Sequence, residues 1–201
     1  MKNSLIIISF FAIGLMIGLI KVIPMDLIPE DITLYVLYIL LFFLGIGIGG
    51  EIKVFNEIKQ HKGKVLIIPA GTILGTYAGV MLYSFLIPSI NYQDSLAIGS
   101  GFGYYSLSSV LITEYSGEKI GAIALGANIF REILTLLFSP FLVILFGKLA
   151  PIYSGGATSM DTTLPVIIKN SGKEFSLIAI FNGLILSFLV PILISIIYEW
   201  F

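Results

Sequence analysis

The sequence has no cysteine and a single histidine. Disulfides, thiol catalysis and thiolate metal sites are therefore excluded, and His61, set among lysines, reads as a solvated side chain. Charge is scarce as well: Asp, Glu, Lys and Arg make up 11% of the residues, against about 25% in soluble domains. With a formal net charge of −1 there is no basic face to neutralise phosphates, which excludes a nucleic-acid partner. HExxH, GxSxG and P-loop motifs are missing, and no nucleophile–base pair can be read. The sequence is not that of an enzyme, and it implies no heme, flavin or metal. Alternating apolar and polar strand patterns are absent too, which argues against a β-barrel.

What is present is apolar: 57% of the residues are hydrophobic, and the mean hydropathy is +1.04. Crossing about 30 Å of hydrocarbon takes roughly 20 apolar residues in a helix. Five runs qualify, at Ser4–Ile20, Ile32–Gly50, Val65–Ile90, Ile120–Gly147 and Phe175–Tyr198. The first run lacks a small-residue cleavage site and leads into a second span, so it reads as a retained helix rather than a signal peptide. Two further segments are broken by small and polar residues. One is "SLAIGSGFGYYSLSSVLITEYSG" (95–117), and the other is "IYSGGATSMDTTLPVIIKNSG" (152–172). The expected fold is all-α: a polytopic membrane helical bundle with five clear spans and two broken or re-entrant segments, forming one transmembrane transporter domain over residues 1–201.

The loop "EIKVFNEIKQHKGK" carries Lys53, Lys59, Lys62 and Lys64, which makes it cytoplasmic. The N-terminus then lies inside as well, and the acidic connection "KVIPMDLIPED" outside. If both broken segments cross, or both re-enter, the Lys residues divide 8 inside to 2 outside, against 6 to 4 if only the first crosses. Crossing and re-entry are equivalent in this count, and both put the C-terminus outside. Broken helices at membrane depth occur where backbone is buried or lines a wet cavity, and a pair of them points to a substrate site. The plainer reading of "GSGFG" is a close-packed helix interface.

Within the fourth run, "GANIFREILTLLFSP" sets Arg131 beside Glu132. A charge at bilayer depth costs at least about 2.5–3.5 kcal/mol, so its default reading is functional. Asn128, Glu132, Thr135 and Ser139 fall on one helix face, whereas Arg131 is rotated away by about 100°. Adjacent helical positions do not face each other, so the two charges make a poor mutual pair. Glu132 is the candidate cation or proton site, with Arg131 orienting it or holding an anion. The structural alternative pairs both charges with neighbouring helices. "GATSMDTT" resembles a helix start, with Thr158, Ser159 or Asp161 as N-cap and Thr162 following. Its N–H groups could bind a carboxylate, while Asp161 suits an amine or a proton, or serves only as the cap. Tyr104, Tyr105 and Ser106 could hold an ammonium through cation–π contacts, or the tyrosines could belong to an interfacial belt.

The motifs "GSGFGYYSLSSVLITEYSG", "NIFREIL" and "GATSMDTTLPVI", in this order, resemble the lysine-exporter (LysO-type) family. The resemblance extends through "ILLFFLGIGIGG" and "NGLILSFLVPILISII" and so covers essentially the whole chain. It implies export of L-lysine and its analogues across the inner membrane, with proton antiport as the expected coupling. It also matches Glu132 to the family's membrane-embedded functional glutamate. Longer members carry an additional N-terminal part of about three helices, so the chain resembles the C-terminal piece of a split transporter. That implies either a homodimer or a separate small N-terminal-half subunit. The alternative function is an obligate or non-transporting subunit of such an assembly.

Overall fold

In the computed structural model, residues 66–86 and 89–200 are described, together with isolated helical positions between 13 and 46. The expected spans at 4–20 and 32–50 and the lysine-rich loop at 51–64 otherwise lie outside the described residues. The chain divides into two units, Met1–Leu40 and Leu41–Phe201, and residues 66–200 belong to the second.

All regular structure among the described residues is helical. Three helices are long and apolar enough to cross a membrane, so the five-span expectation stands at three here. They are α1 (Ile67–Leu86), α4 (Glu118–Phe146) and α7 (Ser176–Trp200). Pro69 sits in the first turn of α1, where a missing N–H costs nothing. Between the spans lie α2 (Tyr92–Gly99) and α3 (Tyr105–Ser116), and then α5 (Ala150–Gly155), a 3₁₀ turn (Gly156–Met160) and α6 (Leu164–Ser171). These pieces are too short to span. At 1.5 Å per residue, α2 and α6 rise about 12 Å and α3 about 18 Å, well short of the roughly 30 Å of hydrocarbon.

Both broken segments turn back on themselves. The start and end of the first meet where Ser116 donates to Asp94 Oδ1 at 2.6 Å. The hydroxyl of Tyr198, at the end of α7, donates to the same oxygen at 2.8 Å. The start and end of the second meet in an exposed ion pair, Lys148 Nζ to Glu174 Oε1 at 3.4 Å, beside the start of α7. The two hairpins therefore have their bases at opposite ends of α7. Helix plus hairpin occurs twice, as α1 with α2–α3 and as α4 with α5–α6, and the two repeats run in opposite directions.

The hairpin tips touch where Ala157 N–H donates to Phe102 O at 2.8 Å. Contact this close needs glycine. Gly156 has φ +61°, and a Cβ there would overlap Phe102 O, while Gly103 has φ +95° and faces Gly155 O. Around the tips, polar side chains hold the helices together, since lipid removes most of the hydrophobic drive between them. Buried Asn182 of α7 donates to Gly156 O at 3.0 Å and to Ser159 Oγ at 3.2 Å, and Thr72 of α1 donates to its Oδ1 at 3.3 Å. Ile152 and Ile167 of the second hairpin form an apolar cluster with Ile68 of α1 and Ala179 of α7.

Candidate functional site

Where the two tips meet α4 and α7 there is a cavity of about 150 Å³. That is about ten times the minimum for one water. The first hairpin lines it with Gly103, Tyr104, Tyr105 and Ser106, and the second with Ala157, Thr158, Met160, Asp161 and Thr162. Glu132 enters from α4 and Ser187 from α7. Seven of the ten candidate residues from the sequence thus share one wall: Tyr104, Tyr105, Ser106, Glu132, Thr158, Asp161 and Thr162.

The other three candidates build the cavity without lining it. Asn128 Oδ1 accepts the Gly103 N–H at 2.7 Å, and its amide donates to Ile98 O and Ala124 O at 3.1 and 3.0 Å. It pins the first hairpin tip to α4. Arg131 turns the opposite way from Glu132, toward the end of α5, where it donates to Ser154 O at 2.9 Å and Tyr153 O at 3.0 Å. It also reaches the Thr76 hydroxyl of α1 at 3.0 Å. A cation at the carbonyl end of a helix is favourably placed, so Arg131 is the polar cap of α5 and ties it to two spans. Ser159 donates to Ala179 O at 2.8 Å and Gly156 O at 2.7 Å, holding the second tip against α7.

The helix start in "GATSMDTT" falls later than the sequence suggests. The N-cap of α6 is Thr163, not Thr158, Ser159 or Asp161. Asp161 Oδ1 accepts the Thr162 N–H at 2.6 Å. Its carboxylate and that of Glu132 face one small space, and among the described residues no salt bridge satisfies either. No group of three acids or histidines converges among these residues as a metal would require.

Sequence reasoning passed over Ser187, Asn182 and Asp94. The first two are single polar residues in the apolar run "FNGLILSFLV", and that isolation was the available signal. Asp94 lies one residue before the broken segment 95–117, and it is buried.

A helical membrane protein whose two opposed helical hairpins and a carboxylate-bearing span line one cavity has the architecture of a transporter. The chain belongs to the lysine exporter LysO family, whose model matches residues 8–198. It is 37% identical over 166 residues to a putative lysine exporter from Haemophilus influenzae, covering 83% of this chain and 84% of that one. It is 34% identical over 161 residues to the lysine exporter LysO of Escherichia coli, covering 80% of this chain and 53% of that protein. No solved structure matches it.

Proposed function

We propose that this chain is a secondary transporter exporting L-lysine or a close cationic amino acid, with protons moving inward in exchange. The observation that carries this reading is that Glu132 and Asp161, from different elements, line one cavity where the tips of the two opposed hairpins meet. Carboxylates within a membrane bundle are costly to keep, and each can hold either an ammonium or a proton. Competition of the two cations for the same oxygens is the simplest basis for antiport. Alternating access follows from rocking one helix-plus-hairpin repeat against its inverted counterpart. The names of the relatives support the substrate.

Orientation follows from the ends of the described bundle. Lys148, Lys169 and Lys173 cluster at the end where α1 begins, whereas Lys119 lies at the other. By the positive-inside rule the first end is cytoplasmic and the C-terminus is outside, in a cell inner membrane. The whole chain then acts as one transporter domain, with a homodimer as the expected assembly. A second reading, an obligate subunit working with an N-terminal-half partner, draws on the chain's coverage of only 53% of the Escherichia coli exporter.

The test is movement of labelled lysine out of liposomes containing this chain alone, with and without an imposed pH gradient. Gradient-dependent flux is the expected result. Flux that ignores the gradient would remove the antiport. No flux until a small co-purifying membrane protein is added would favour the subunit.

A further inference from the structure

We infer that the start of α3 together with Ser187 forms a subsite for the carboxylate of the transported molecule. This deepens the transport reading and rests on it. The α3 helix begins without a side-chain cap, and its N-cap is Tyr104. In its first turn the Tyr105 N–H donates to Gly103 O at 2.9 Å and the Ser108 N–H to Tyr104 O at 3.0 Å. The Ser106 and Leu107 N–H groups are left with no partner among the described residues. Unpaired N–H groups at a helix start form an anion site, reinforced by the helix dipole. The residues of this start, Tyr104, Tyr105 and Ser106, line the cavity.

A second observation comes from another helix. Ser187 of α7 is 0% exposed, and its Oγ has no hydrogen-bond partner among the described residues. It lines the same cavity. A buried hydroxyl normally finds a partner, and this one stands with the open end of α3 around a space that a ligand can enter.

The second hairpin offers a contrast. There the Thr163 N–H donates to Thr158 O, that of Leu164 to Asp161 O and that of Val166 to Thr163 O, and Pro165 has none to give. The start of α6 is spent on its own chain and carries Asp161 besides. The cavity is therefore polarised, with free donors from α3 and α7 and carboxylates from α4 and the second tip. A molecule bearing both ammonium and carboxylate satisfies both parts. A diamine leaves the donors desolvated and unmatched, the situation in which polar sites discriminate most strongly.

The experiment is competition against labelled-lysine counterflow in liposomes containing the full chain, using unlabelled lysine and lysinamide. Lysinamide keeps both amines and loses only the carboxylate. For the wild-type protein, lysine should compete at concentrations about tenfold lower than lysinamide. Ser187→Ala should narrow that gap severalfold by weakening lysine more than lysinamide, and residual lysinamide competition reports that the variant is folded. Equal competition in the wild-type protein, or a gap that Ser187→Ala leaves unchanged, would overturn the subsite alone. Absence of any lysine counterflow in the wild-type protein would overturn the transport reading and the subsite together.

Discussion

Arg131 and Glu132 are neighbours in sequence with different surroundings, because about 100° separates consecutive residues on a helix. Glu132 faces the cavity, whereas Arg131 caps α5. Their substitutions should therefore fail in different ways. Glu132→Gln keeps shape and hydrogen bonding but removes the charge. Lysine efflux should be abolished while expression and thermal midpoint stay near wild type, and wild-type efflux from such liposomes would sink the assignment. Arg131→Met strips the guanidinium from two partly buried backbone carbonyls, at about 1–3 kcal/mol for each acceptor left unpaired. A clear drop in the thermal midpoint is expected, and an unchanged midpoint would contradict the capping role. The sequence made both residues conspicuous, since each is a charge in an apolar run. Which one met the cavity depended on the rotation of α4 against its neighbours.

At the scale of elements, the two hairpins stay folded because their ends are fastened and their tips are pinned. Asn128 pins the first tip, and Asn182, Ser159 and Arg131 pin the second. The approach of α7 to the second tip is close: a Cβ on Gly183 would lie 2.5 Å from Met160 Cβ and 2.7 Å from Ala157 O. Gly183→Ala should thus force the hairpin off α7 and cost about 1–3 kcal/mol by overpacking. Denaturation in detergent would check this, and wild-type stability would show that the interface yields. The ion pair at the second hairpin's base is exposed, and such pairs are worth about 0–1 kcal/mol. Lys148→Ala should therefore leave the same measurement nearly unchanged. Glycine, serine and proline in 95–117 and 152–172 revealed that these segments break. That they fold back rather than cross is carried by contacts such as Ser116 to Asp94, which no local pattern contains.

For the molecule as a whole, two inverted helix-plus-hairpin repeats make a prediction about sidedness. The absence of native cysteine lets every single-cysteine variant be labelled cleanly. In intact cells a membrane-impermeant thiol reagent should modify cysteine at Tyr92 or Lys119 and spare cysteine at Lys148 or Lys173. The reverse pattern would invert the orientation. Labelling of one hairpin at both its base and the opposite face of the bilayer would mean that it crosses.

Hydropathy is local and additive, so 57% apolar residues and runs of membrane length settled by themselves that the chain is a helical membrane protein. The motifs around Gly103, Arg131 and Asp161 carried the family as well, because they are contiguous words in the chain. The convergence of Glu132, Asp161, Ser106 and Ser187 on one cavity was decided by the tertiary structure alone. So was the assignment of α3, rather than α6, as the helix start with free donors. Both depend on how far each helix is rotated and where each backbone N–H finds an acceptor. Those are properties of packing between segments distant in sequence, and hydrophobic periodicity does not encode them.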